Sequence, residues 1–256
     1  MEKIEKPFWD HLEELRDRLM KCLYVLLATS AIGYFLRQPV LEFLKAPLFH
    51  ALPPDKQHLY FTGLFDSFFN ALQIALITGV FLGSPFFLYQ IWAFVGPGLH
   101  KHERSVAMPF VAAGTLFFFA GAAFAYYLVL PVGFKFFLEF GQPMDVPLIT
   151  VREYFTILYR LLLLFGASFE LPVVLVLLAK LGILSHATLV AHRRTAVIAI
   201  TLACAMFAPP DIMSMLMMMA PLYIFFEGAL QVIRVMEKRR GASPLTTKTK
   251  APQQKG

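Results

Sequence analysis

The segment YQIWAFVGPGLHKHER, residues 89–104, separates two long apolar segments that contain no charged residue. Uncharged apolar segments of about 20 residues cross bilayers as helices, so this segment is predicted to be a short polar connection between two spans. Glu103 lies here among His, Lys and Arg side chains. It is either a binding group for a cation or merely neutralised by Arg104 in a basic membrane anchor. The segment begins with aromatic residues of the kind found at headgroup level: Tyr89, Trp92 and Phe94.

The composition of the whole chain is that of a polytopic membrane protein. Of its 256 residues 58% are hydrophobic and only 16% are charged, whereas soluble domains are about half apolar. Cys22 and Cys204 both lie in apolar segments, and the seven His have no metal-ligand spacing. No disulfide, metal site or cofactor is therefore expected. The net charge of +6 is interpreted as a topological signal rather than as a nucleic-acid surface.

Six transmembrane helices are predicted in a single transmembrane domain, residues 1–234, which begins with an N-terminal arm at 1–18. The predicted spans are 19–36, 68–89, 106–130, 155–179, 195–208 and 212–226. The last two reach only roughly 21 and 22 Å, against about 30 Å of hydrocarbon. They form either one re-entrant hairpin or two short true spans. A basic tail at 235–256 is predicted to be disordered.

The distribution of basic residues predicts which side of the membrane holds the termini. Seventeen of the 23 Lys and Arg lie on the side shared by both termini of a six-span chain. Cytoplasmic loops carry the excess of Lys and Arg, so both termini are predicted to be cytoplasmic. A re-entrant hairpin would leave this orientation unchanged.

Acidic residues in or near the spans are the candidate functional groups. Glu170 lies in the middle of the fourth predicted span, where a carboxylate is costly unless it is paired, solvated or protonated. It is interpreted either as a functional cation or proton site or as a neutral acid bonded to a neighbouring helix. Asp211 follows two prolines and suits the N-terminus of the last span. The sequence contains no hydrolase motif and no phosphate-binding loop, so an enzyme is not expected.

Five motifs together give the chain a strong family resemblance. They are HLEELRDRL (11–19), APL (46–48), PFFLYQIWAFVGPGLHKHER (85–104), FGASFELPV (165–173) and APPD (208–211). In this order they resemble the TatC subunit of the twin-arginine protein translocase. The resemblance implies a concave, glove-like bundle of six helices with cytoplasmic termini in the bacterial inner membrane, and it favours two short true spans over the hairpin. It also implies a receptor for twin-arginine signal peptides that acts with TatA- and TatB-like single-span partners, self-associates and draws on the proton-motive force.

The resemblance also assigns roles to individual residues. Glu14 and Glu103 match the family's two acidic positions that contact the twin arginines, which agrees with the ability of a carboxylate to hold guanidinium in a bidentate bond. The other matched positions are Phe94 and Pro85 for signal-peptide binding, Glu170 for an intramembrane partner contact, and Asp211, Pro47 and Arg16 for structure or translocation. Two departures are Ser105, where a second basic residue often stands, and a Met-rich start to the last span. The alternative function is a proton-coupled small-solute transporter with Glu170 as its relay.

Overall fold

The structure is a computed structural model that describes residues 6–53, 56–95, 104–140, 148–180, 182–207 and 212–241. Within these ranges the chain is helical apart from short connections and one isolated β-bridge. The helices are α1 (Lys6–Phe35), α2 (Arg37–Ala51), α3 (Asp66–Val95), α4 (Arg104–Phe124), α5 (Leu130–Phe140), α6 (Val151–Lys180), α7 (His186–Ala191), α8 (Arg193–Phe207) and α9 (Ile212–Gly241). A π-helical segment (Ala125–Val129) joins α4 to α5.

The length and hydropathy of the helices confirm an all-α polytopic membrane protein. Five segments of the described ranges are long and apolar enough to cross a bilayer: His11–Phe35, Asp66–Phe94, Met108–Glu139, Val151–Lys180 and Met218–Lys238. Helix α8, with 15 residues, reaches only roughly 22 Å. It corresponds to the predicted short fifth span.

Helix α1 combines residues 6–18 of the predicted arm and the predicted first span in one continuous element. It runs from Lys6 to Phe35 without interruption, because no glycine occurs in it before Gly33 and nothing else breaks the helical hydrogen bonding. The polar first half of α1 is therefore rigidly continuous with the membrane-crossing half. The side chains on this polar half are therefore positioned by the residues that pack against the membrane-crossing half of α1.

Helix α2 lies in the connection between the first two predicted spans, and its inner face is buried. Leu44, Pro47 and Leu48 are buried there. Pro47 has no N–H, so it leaves the carbonyl of Phe43, four residues earlier, without its helical donor. The hydroxyl of Tyr126 donates to that carbonyl and so satisfies it.

The helix that contains the predicted third span continues beyond the end that was predicted for it. It was expected to end at residue 130, but the helical path continues through α5 to Phe140. The turn before Pro131 is π-helical, and the N–H of Leu130 bonds the carbonyl of Ala125, five residues back. Such a widened turn accommodates a proline ring that would otherwise clash with the preceding turn. Pro131 therefore stands inside the helix instead of ending it.

Helices α4 and α6 pack closely through glycine, a residue that lets helices in membranes approach one another. A Cβ added at Gly121 would collide with the backbone carbonyl of Phe165 and lie 2.8 Å from the ring of Phe169. Only glycine lets the two backbones approach this closely. The contact makes α6 the centre of the core, where Phe155, Leu158 and Phe165 are almost fully buried.

Helix α9 is longer than the predicted sixth span. The prediction ended it at 226 and placed a disordered tail from 235, whereas the helix continues to Gly241. The reason is that buried residues at helical spacing extend the packing face of α9 beyond the predicted span. These residues are Phe226, Ala229, Leu230 and Ile233. Residues 242–256 and 208–211, including Asp211, lie outside the described residues.

Candidate functional site

The polar half of α1 lies against the final turns of α3. The two helices run antiparallel: Thr29 Oγ1 donates to the carbonyl of Gly79 at 2.9 Å, and the residues that precede Thr29 contact those that follow Gly79. Through this register the sequence around residue 14 meets the end of the predicted second span. The resulting polar cluster, which we call the α1–α3 cluster, consists of His11, Glu14, Arg18, Gln90 and Phe94.

The guanidinium of Arg18 holds the Glu14 carboxylate in this cluster and is itself bonded to the buried amide of Gln90. Arg18 donates to Glu14 Oε1 through Nε at 3.0 Å and through Nη2 at 2.6 Å. Its Nη1 donates to Gln90 Oε1 at 3.1 Å, and Gln90 is only 7% exposed. Charge-assisted bonds of this kind are the stronger class of hydrogen bond. Arg18 therefore ties the acid on α1 to the interior face of α3.

The Glu14 carboxylate remains accessible from outside. Its side chain is 33% exposed, and the two donors from Arg18, Nε and Nη2, converge on one oxygen, Oε1. The second oxygen, Oε2, lies 3.9 Å from His11 Nδ1, beyond hydrogen-bond distance. Arg18 thus does not bond Oε2, and a cation can approach the partly exposed carboxylate there.

A stacked pair of aromatic rings lies near the carboxylate, because His11 precedes Glu14 by three residues on α1. The rings of His11 and Phe94 stack at 4.4 Å between centroids with an interplanar angle of 18°. Phe94 is half-buried and Tyr89 is exposed. The structure thereby brings together two residues that were assigned to one function, Glu14 and Phe94. Pro85 lies on the same helix, five residues before Gln90, and is exposed there.

Other predicted site residues lie apart from the cluster or outside the described residues. Arg16 is exposed and pairs with Glu13 at 3.4 Å and Asp17 at 3.2 Å, so its guanidinium is engaged away from Glu14. Pro47 is buried in α2. Glu103 and Asp211 lie outside the described residues.

Glu170 lies on α6 against the small-residue face of α4. A Cβ at Gly114 would be 2.9 Å from Glu170 Oε2, so glycine provides the space for this carboxylate. Within the part of the chain that the structure describes, Oε1 is buried and has no hydrogen-bond partner. Burial of this carboxylate is costly unless it is protonated or bonded to a further polar group.

Sequence reasoning missed the roles of Gln90, His11 and Arg18. Gln90 is 72 residues from Arg18 in the chain, and nothing in its local pattern distinguishes it from other polar residues at the end of a span. Among the described residues no cluster of three His, Cys, Asp or Glu could hold a metal ion.

Comparisons with known proteins give the family. A model described as Sec-independent protein translocase protein (TatC) matches residues 10–221. The chain is 36% identical to the Sec-independent protein translocase protein TatC of Desulforapulum autotrophicum, over 93% of this chain and 88% of that protein. Its identity to the protein of the same name in Magnetococcus marinus is also 36%, over 91% of this chain and 86% of the relative.

A solved structure shows the same fold. The crystal structure of the twin-arginine translocase receptor TatC in DDM aligns with a TM-score of 0.79 at 31% identity, covering 87% of this chain and 99% of that chain. Family model, relatives and fold agree over nearly the whole described chain. The chain is therefore a multi-span membrane protein that belongs to the TatC family of Sec-independent protein translocase proteins.

Proposed function

We propose that this chain is the signal-peptide receptor of a twin-arginine translocase and that Glu14 binds a guanidinium of the signal peptide. It is a transport component and not an enzyme, as its family membership indicates. The observation that carries the proposed site is that Glu14 already holds a guanidinium, that of Arg18, while part of its carboxylate remains exposed.

The chemistry of the α1–α3 cluster suits arginine better than lysine. A carboxylate can take two parallel hydrogen bonds from the planar guanidinium fork, whereas an ammonium acts as a compact point charge. The cluster also offers the stacked rings of His11 and Phe94, and guanidinium groups stack favourably on aromatic faces. A signal-peptide arginine at Glu14 would thus meet both kinds of partner.

Glu103 is the second acid of the proposed receptor. It stands eight residues beyond the end of α3, the helix that supplies Gln90 and Phe94 to the cluster. Two acids would give each of two consecutive arginines its own carboxylate. With Pro85 and Phe94 assigned to the same surface, the proposed recognition site extends along the end of α3 at the cytoplasmic face of the bacterial inner membrane.

The proposed partners follow from the same function. TatA- and TatB-like single-span subunits would pack against the membrane-facing helices, and copies of this chain would associate in a receptor complex. Glu170 is the proposed polar contact for a partner helix, because its buried Oε1 lacks a hydrogen-bond donor among the described residues. Family membership favours this translocase over a proton-coupled small-solute carrier using Glu170.

The proposed site is tested by photocrosslinking a twin-arginine signal peptide to the chain in membranes. Glu14→Lys and Glu103→Lys are expected to abolish the crosslink, because each places a cation where a guanidinium should bind. Glu13→Lys is the matched control, since Glu13 is exposed and pairs with Arg16 rather than Arg18. Membrane insertion is checked for every variant by carbonate extraction. Undiminished crosslinking in Glu14→Lys and Glu103→Lys would remove the proposed site.

A further inference from the structure

The bonding of Arg18 to Glu14 uses one carboxylate oxygen only. Nε at 3.0 Å and Nη2 at 2.6 Å both donate to Oε1. A fork-shaped bond from an incoming arginine needs both oxygens of the carboxylate, with one donor on each. In the structure Arg18 therefore occupies half of the site that a bidentate ligand would use.

Arg18 has a second partner that would remain after it released Glu14. Its third donor, Nη1, bonds Gln90 Oε1 at 3.1 Å, and this bond does not involve the carboxylate. The Arg18 side chain is 21% exposed, so Nε and Nη2 can exchange Glu14 for water. Release of Glu14 consequently leaves no buried guanidinium without a partner.

We propose that Arg18 is a resident ligand of Glu14 and that a signal-peptide arginine binds by displacing it. Arg18 is then the residue that sets the affinity of this site. It neutralises the carboxylate when no peptide is present, and it imposes a cost on every ligand that needs Oε1. This inference rests on the proposed function of Glu14.

Removing Arg18 is expected to affect arginine and lysine ligands differently. An arginine must free Oε1 to form its fork, so it gains when Arg18 is absent. A lysine ammonium can use Oε2, which Arg18 does not bond, so it gains only from the loss of a nearby positive charge. For a partly exposed pair the arginine gain is expected to be about threefold in Kd.

The experiment measures the affinity of two synthetic signal peptides for the full chain in detergent micelles by fluorescence anisotropy. One peptide carries consecutive arginines and the other carries two lysines in their place. The variants are Arg18→Gln and Arg18→Lys, with Lys21→Gln as the control that removes an equal charge from the exposed surface of α1 one turn further on. Glu14→Gln is measured in parallel.

The expected result is that Arg18→Gln tightens arginine-peptide binding about threefold, and tightens it more than lysine-peptide binding and more than Lys21→Gln does. Arg18→Lys should lie between wild type and Arg18→Gln, because its ammonium cannot direct two donors to Oε1 while holding Gln90. If Arg18→Gln does not fold, the same comparison in Arg18→Lys decides the question.

Two results would overturn the exchange. If Arg18→Gln increases the affinity for both peptides equally, and Lys21→Gln does the same, Arg18 acts only through its positive charge. Weaker arginine-peptide binding in Arg18→Gln would make Arg18 a support for Glu14 and not a competitor. Glu14→Gln distinguishes failure of this proposal from failure of the proposed function. If Glu14→Gln binds the arginine peptide as wild type does, Glu14 is not the binding site, and the displacement of Arg18 is also refuted.

Discussion

The hydrogen bond from Tyr126 to the carbonyl of Phe43 gives a sharp test of how α2 is held. Tyr126→Phe removes the donor and leaves the ring, which stacks on Phe43 at 4.4 Å with an interplanar angle of 9°. Because Pro47 has no N–H, the Phe43 carbonyl has no helical donor to replace the lost hydroxyl. The side chain of Tyr126 is only 6% exposed, so water reaches the carbonyl poorly.

The expected loss of stability is about 1–2 kcal/mol. A buried acceptor left without a partner costs about 1–3 kcal/mol, while hydrogen bonds inside membrane proteins average about 0.6 kcal/mol and reach about 1.7. Reversible unfolding of the purified chain in mixed detergent micelles, followed by circular dichroism, measures the difference. The matched control is Tyr127→Phe, because Tyr127 is the next residue and is 69% exposed.

A second background isolates the cause. Pro47→Ala returns an N–H that can donate to the Phe43 carbonyl, so Tyr126→Phe should cost less in that background by about 1 kcal/mol. The reasoning is refuted if Tyr126→Phe costs no more than Tyr127→Phe, or if Pro47→Ala leaves its cost unchanged.

Two further predictions concern helix packing. Gly121→Leu should force α4 away from α6 and lower the yield of folded protein in detergent, because the nearest obstacle to the new side chain is backbone. Gly133→Leu should be tolerated, since among the described residues no atom outside its own stretch of helix lies within 4 Å of its added Cβ. Equal yields from both variants would contradict the close packing. Arg193 and Glu227 form a partly exposed ion pair at 2.9 Å between α8 and α9. A double-mutant cycle of Arg193→Gln and Glu227→Gln should give a coupling free energy of about 0.5–1 kcal/mol. A coupling near zero would show that the pair does not stabilise the contact between the two helices.

The order of the membrane helices and five of the six predicted spans could be predicted from sequence, because the bilayer constrains long apolar segments strongly. Long uncharged segments have to be helical in lipid, so the spans were found from composition alone. Their ends were not found, because hydropathy reports transfer into lipid and not helix continuity. The predicted third span ends at residue 130, but a π-helical turn accommodates Pro131 and the helix continues. Helix α9 continues to Gly241 because a buried apolar stripe extends beyond the predicted sixth span.

The candidate site could be predicted only in part. Glu14 and Phe94 were assigned from the family motifs, and the structure places both in one cluster. The roles of Gln90 and Arg18 were missed, because their contact joins residues 72 positions apart. That contact depends on the antiparallel register of α1 and α3, which no local pattern encodes.

The central claim is that Glu14 recognises a guanidinium rather than a positive charge. Photocrosslinking of the twin-arginine peptide and its twin-lysine counterpart to wild type, Glu14→Lys and Glu13→Lys tests it most directly. The account predicts a strong arginine-peptide crosslink in wild type and Glu13→Lys, a weak lysine-peptide crosslink, and none of either in Glu14→Lys. Equal crosslinking of the arginine peptide to wild type and Glu14→Lys, in protein that is correctly inserted, would contradict it.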